Sequence, residues 1–151
     1  MYHGFMRPVT VNDSDELAEL EMKLFPENCL NEYTLAREID LGQGFCITEN
    51  GLIVAYMLCR GSSYLTDITR LGVHPDYQGL GLGKQLLRRG LELAEYVMLT
   101  VVPDNERALR LYRSHGFEYV GLLKDSSGWV MGAVPNGQYS GRGPHFIGLD
   151  R

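Results

Sequence analysis

Residues 78 to 83 read Gln-Gly-Leu-Gly-Leu-Gly, and Lys84 follows at the head of an apolar-periodic segment. Glycines leave backbone N–H groups bare in a tight loop. A helix that starts there adds the unpaired N–H groups of its first turn and the positive end of its dipole. Together these groups make an anion site, most often for phosphate. A second constellation lies downstream. Asn105, Ala108 and Tyr112 stand at steps of three and four, hence on one face of a helix, and Gly116-Phe117 follow it. A small residue between an amide and a phenol leaves room for a ligand. The same residues also suit plainer work, with Asn105 as an N-cap and Tyr112 as half-buried packing.

Two common phosphate loops fail on spacing. A Walker A loop needs Gly, four residues, Gly-Lys and then Ser or Thr. Here Gln78 stands at the first glycine and Gln85 at the hydroxyl, so no ligand for magnesium is offered. A dinucleotide fingerprint needs Gly-x-Gly-x-x-Gly at the start of a strand–helix–strand unit. Here the spacing is Gly79-x-Gly81-x-Gly83, in mid-chain. A nucleotide-binding or phosphotransfer protein is disfavoured accordingly. The pattern Gln78-x-x-Gly81-x-Gly83 resembles instead the pyrophosphate loop of the GNAT superfamily of N-acetyltransferases, which bind acetyl-coenzyme A. A glycine-rich turn before an ordinary helix is the plain alternative. The run from Asn105 to Gly116-Phe117 resembles the last helix and following strand of the same superfamily. The general layout and Phe25-Pro26 resemble its ribosomal-protein alanine acetyltransferase branch.

The elements that must hold these motifs follow from pattern. Phe5 to Thr10 reads as a first strand, and Asp13-x-x-Glu16 as a capping-box start for a helix with Leu17, Leu20 and Leu24 on one face. Pro26 stops that helix. Asn31 caps a second, which carries Leu35 and Ile39 and ends at Gly42. Residues 44 to 60 form a hairpin turning at Asn50-Gly51, suited to a type I′ turn. Tyr64 to Val73 is the next strand, and a helix from about Gly83 to Tyr96 carries Leu87, Leu91 and Ala94. Val97 to Val102 is a buried strand interrupted by Thr100, and the Asn105 helix ends with Gly116 at its C′ position. Phe117 to Leu123 is strand-like. Residues 124 to 144, rich in glycine and serine, read as mostly loop, and His145 to Leu149 as a final strand.

This order matches the superfamily over nearly the whole chain. The resemblance implies one α/β domain over residues 1–151, with a central mixed, splayed β-sheet flanked by about four helices. It implies acetyl-coenzyme A as cofactor, held by Leu71, Gly72 and Val73 on a strand and by Gln78, Gly79, Leu80, Gly81, Leu82, Gly83 and Lys84 in the loop. Asn105 and Ala108 would line the same ligand.

The activity implied is transfer of an acetyl group to a primary amine by direct attack in a ternary complex. The amine must first lose a proton, which calls for a general base or a water chain ending on one. Asp67 is the first candidate, and an exposed strand-end carboxylate is its plain alternative. Negative charge on the acetyl oxygen would lean on a strand N–H near Val73. Tyr112 would protonate the departing thiolate, a modest demand since thiols have a pKa near ~8.5. Thr100 stands where the alanine acetyltransferases carry a glutamate, and it cannot act as a base. Acceptor recognition would fall to the 25–32 segment, with Phe25, Glu27 and Glu32, and to Trp129 and Tyr139. The two carboxylates also suit a solvated loop, and Trp129 either stacks on substrate or covers a core edge. A non-catalytic acyl-coenzyme-A-binding or protein-interaction module on the same fold is the rival reading.

Composition narrows the partners. The 151 residues are 44% hydrophobic and 22% charged, ordinary for a globular protein. A net charge of −5 makes a nucleic-acid backbone a poor partner. No apolar run approaches the ~20 residues of a membrane span, and Met1 to Gly4 does not read as a signal peptide. Cys29, Cys46 and Cys59 are odd in number and lack Cys-x-x-Cys spacing, which points to free thiols in a reducing cytoplasm. The four histidines are scattered, so no metal site is expected. A monomer or homodimer is compatible with all of this.

Overall fold

A computed structural model describes residues 4–125 and 127–137. In chain order these form strand β1 (Phe5–Pro8), helices α1 (Ser14–Leu24) and α2 (Glu32–Leu41), and strands β2 (Gln43–Glu49), β3 (Leu52–Gly61) and β4 (Leu65–Val73). Then come α3 (Leu82–Leu91), β5 (Tyr96–Val101), α4 (Glu106–Ser114), β6 (Glu118–Leu122) and β7 (Trp129–Ala133). The sheet is mixed, in the order β1-β2-β3-β4-β5-β7-β6. β4 and β5 run parallel, in register from Leu65 with Tyr96 to Ile68 with Leu99. The other registered neighbours are antiparallel. The described residues gather into two compact units, 4–60 with 70–87, and 61–69 with 88–137.

The first unit is built by α1 and α2 on the first strands. Leu17 and Leu20 of α1, Leu35 and Ile39 of α2, and Cys46, Ile53, Tyr56 and Leu58 of the hairpin share one buried cluster. Pro26 ends α1 as expected, and Asn31 caps α2 by accepting the Thr34 N–H at 2.9 Å. The hairpin turns with φ of 53° at Asn50 and 80° at Gly51, the pair of positive values a type I′ turn requires. Its register sets Cys46 opposite Tyr56 and Cys59 opposite Gln43, and both thiols are free.

The start of α1 differs from the expected capping box. Asp13 Oδ2 accepts the Thr10 N–H at 2.8 Å, and the Asp13 carboxylate receives both arms of Arg7 at 2.9 Å. Glu16 is drawn off to the hairpin, where it accepts the Ile53 N–H at 2.7 Å. Asp13 thus caps one turn earlier, through near neighbours in the chain, while a tertiary partner took Glu16.

The second unit contains two corrections. α3 stops at Leu91 rather than near Tyr96. The N–H groups of Glu95 and Tyr96 bond the carbonyls of Ser63 and Tyr64, so the chain has already turned into a strand. The expected loop at 124–144 also holds a strand that the pattern did not show. Residues 129–133 form β7, which lies between β5 and β6 and pairs with both. Val130 to Ala133 are buried, so the strand shows no polar alternation. Gly132 is required there because a Cβ would overlap the Tyr96 hydroxyl and ring. The expected strand at His145 to Leu149 lies outside the described residues.

Candidate active site

The glycine loop closes the first unit. β4 ends at Val73, and the His74 N–H donates to the Val54 carbonyl at 2.8 Å. A short turn, Pro75–Tyr77, follows, with His74 Nδ1 accepting the Asp76 N–H at 3.1 Å. Gln78 Nε2 reaches back to the Val73 carbonyl at 3.0 Å, which ties the loop to the strand end. Gly79 and Gly81 have φ of 82° and 85°, and a Cβ at either would meet nothing within 4 Å. Backbone conformation, not crowding, therefore demands glycine at both. The first bond of α3 runs from the Gln85 N–H to the Gly81 carbonyl at 3.0 Å. The N–H groups of Leu82, Gly83 and Lys84 precede that bond and have no partner inside the helix. Leu80 and Lys84 are exposed, while Leu82 is buried and anchors the helix start. Open backbone with alternating positive φ, leading straight into a helix N-terminus, fits a pyrophosphate.

β4 presents Leu71 and Val73 half-buried and Gly72 buried. A Cβ at Gly72 would stand 2.6 Å from Leu24 Cδ1 and 3.0 Å from Tyr56 Cε1. Glycine here lets the strand pass against that ring. Asp67 lies on β4 in the stretch paired with β5, half-buried and engaged by neighbours. It stands six residues before Val73, about 20 Å along a strand at ~3.3 Å per residue. Direct proton exchange between Asp67 and an atom at Val73 is out of reach.

In the second unit, Asn105 Oδ1 caps α4 by accepting the Ala108 N–H at 3.2 Å. The far end closes on Gly116 (φ 88°), with the Gly116 N–H on Arg113 O and the Phe117 N–H on Tyr112 O, both at 3.1 Å. This is a Schellman ending, as Gly116 predicted. Tyr112 is half-buried beside Phe117, ring centroids 6.0 Å apart. Burial pushes its hydroxyl pKa up. Ala108 is half-buried on the same helix, and Thr100 is exposed on β5.

Of the residues expected to meet an acceptor, Phe25 is half-buried, and Glu27 and Glu32 are exposed. Trp129 begins β7 rather than standing in a loop, and its ring meets Tyr119 edge-on at 5.2 Å. Tyr139 lies outside the described residues. Pattern reading missed Glu21. It sits on the apolar stripe of α1 with Leu17, Leu20 and Leu24, and it is fully buried. Its carboxylate receives Arg70 Nη2 at 2.6 Å and Nε at 2.9 Å, the Leu30 N–H at 2.8 Å, and the Tyr56 hydroxyl. Burial raises its pKa, but the bonds from Arg70, Leu30 and Tyr56 outweigh that and hold the carboxyl below its ordinary range. A carboxylate inside an otherwise apolar helical stripe was the available signal.

A mixed seven-stranded sheet with an open glycine loop at the end of its parallel inner strand defines an α/β protein built to hold a phosphate-bearing ligand. Comparison with known proteins makes this specific. The sequence model of the Acetyltransferase (GNAT) family matches residues 14–117. The chain is 36% identical over 136 residues to the N-alpha-acetyltransferase RimI of Mycobacterium tuberculosis, covering 78% of this chain and 83% of the relative. The crystal structure of the ribosomal-protein-S18-alanine N-acetyltransferase from Escherichia coli superposes with a TM-score of 0.79, covering 95% of this chain and 100% of that one at 22% identity. The PaiA N-acetyltransferase from Thermoplasma acidophilum, solved in complex with coenzyme A, gives 0.76 at 16% identity, covering 88% and 99%. The chain belongs to the GNAT acetyltransferase family. It is an acyltransferase that uses acetyl-coenzyme A to acetylate a primary amine, and the reading as a non-catalytic module is not favoured.

Proposed function

We propose that the acceptor is the α-amine of a peptide or protein, and that residues 1–151 act as one N-acetyltransferase domain. The observation that carries this reading is the 36% identity, over 83% of its length, to an N-alpha-acetyltransferase. Lysine side chains and small amines are the acceptors it displaces. Its action, as a monomer or homodimer, is placed in the cytoplasm, a compartment that three free thiols support. The net charge of −5 argues against a nucleic-acid partner. Among the described residues no helix is long and apolar enough to cross a membrane.

Acetyl-coenzyme A supplies the acetyl thioester. The chain supplies position and protons. N–H groups of Gly79 to Lys84 would hold the pyrophosphate, and the main chain of Leu71 to Val73 would pair with the pantetheine arm. Asn105 uses its Oδ1 as a cap, so its NH₂ group is the part it offers the cofactor. The Tyr112 hydroxyl, a phenol that stays protonated at neutral pH, would supply the proton to the leaving sulfur. Asp67 takes up the acceptor's proton through water.

Thiol release with a peptide of free N-terminus, the same peptide N-blocked but carrying lysine, and a diamine tests the acceptor. Turnover confined to the free N-terminus is expected, and turnover on lysine alone overturns the assignment. Tyr112→Phe is expected to lower kcat by roughly ten- to a hundredfold, at the low end for a general acid because a thiolate leaves readily. Asp67→Asn is expected to remove the acidic limb of the kcat/KM pH profile. An unchanged limb places the base elsewhere.

A further inference from the structure

The cofactor loop makes no use of the charge pair buried beneath the 25–30 segment. Glu21 is 0% exposed, and Arg70, its partner across the first unit, is largely buried. Swapping a buried ion pair for apolar residues of like volume is often neutral or stabilising, so stability alone does not account for one on an apolar stripe. What the pair touches does. Arg70 Nη2 also donates to the Asn28 carbonyl at 3.0 Å, and the guanidinium lies over the Phe25 ring, 4.0 Å from its centroid. The Glu21 oxygen that receives Nη2 also accepts the Leu30 N–H at 2.8 Å. One charge pair therefore fastens the segment at Phe25, Asn28 and Leu30. Arg70 itself stands three residues before Val73 on β4, and Gly72 presses that strand against Tyr56 and Leu24.

We propose that Arg70, oriented by Glu21 and Tyr56, is a positioning residue for acceptor selection, fixing the 25–30 segment to the strand that holds the acetyl donor. The inference rests on reading residues 25–32 as the acceptor segment. Its physical basis is that an acceptor misplaced by about 1 Å can lose ~10²-fold in rate. A fork that bonds a carboxylate with two nitrogens and lays a flat face on an aromatic ring is a task lysine cannot perform.

The test compares kcat/KM for a peptide of free N-terminus with that for butylamine, alongside acetyl-coenzyme A affinity by calorimetry. Arg70→Lys is expected to raise the peptide KM about tenfold and shrink the peptide-to-butylamine ratio similarly, with cofactor affinity unchanged within about twofold. A residue that served stability alone would lower the active fraction, scaling kcat for both amines and leaving KM and the ratio unmoved. The charge-neutral pair Glu21→Gln with Arg70→Met keeps the fold should Arg70→Lys not, and the same collapse is expected of it. Glu27→Ala with Glu32→Ala is the control for the acceptor segment. If that control shifts the peptide KM while both Arg70 variants keep the wild-type ratio, the positioning role is wrong and the acceptor segment stands. If none of the three moves it, the acceptor segment falls as well.

Discussion

Gly81 carries a φ of 85° with open space where a Cβ would go. A side chain there fits sterically but strains the backbone, and a branched one most of all, by about 1–2 kcal/mol. Gly81→Val should therefore fold, yet flip the loop toward negative φ and turn its N–H groups away. The expected result is at least a tenfold loss in acetyl-coenzyme A affinity by calorimetry, about 1.4 kcal/mol, with unfolding by heat little changed. Normal affinity in this variant would falsify the assignment of the loop. The glycine spacing was legible because few backbones need glycine at alternate positions. Glu21 was not, because burial of a carboxylate depends on Arg70, 49 residues away in sequence.

At the scale of elements, Asn105 is a cap, and the proposed function gives it a second, separable task at the cofactor. Asn105→Ala should cost α4 about 1 kcal/mol as a lost cap and also weaken cofactor binding. Asn105→Asp keeps a capping oxygen but lacks the NH₂ donor. Its thermal unfolding should match wild type while affinity for acetyl-coenzyme A still falls. If affinity survives in Asn105→Asp, the residue is a cap and nothing more. β7 offers a second test. A Cβ at Gly132 runs into the Tyr96 ring, so Gly132→Ala should destabilise by roughly 1–3 kcal/mol. Adding Tyr96→Val should restore part of that loss. The strand was misread as loop because glycines and serines flank it and its five residues carry no alternation. A short run buried on both faces gives no periodic signal.

At the scale of the whole molecule, stability should follow both ligand and pH. A ligand that binds only the folded state at a hundred times its Kd adds about 2.7 kcal/mol. For a chain this size that raises Tm by roughly 5–10 °C. Acetyl-coenzyme A should do so, and ATP and NAD should not. Acid should act through Glu21 and Asp13, whose pKa values are held low by Arg70 and Arg7 in the fold. Such groups stabilise above their unfolded pKa, near 4, and that contribution is lost as pH falls through the lower folded values. Urea midpoints should therefore hold from neutral pH to about pH 5 and decline as pH falls below about 4. Glu21→Gln, which cannot titrate, should show a shallower decline from a lower starting stability.

The sequence by itself determined the family, the glycine loop, the Asn31-capped helix, the hairpin turn and the helix that carries Tyr112. Each is written in local terms, as spacing, a capping residue or a glycine at positive φ, so neighbours in the chain suffice to specify it. Only the tertiary structure decided the partners of Glu16 and Glu21, the early end of α3 and the insertion of β7 between β5 and β6. Those outcomes depend on which distant N–H, guanidinium or strand edge meets a residue once the chain is folded. That competition is between long-range contacts, and local pattern carries no record of it.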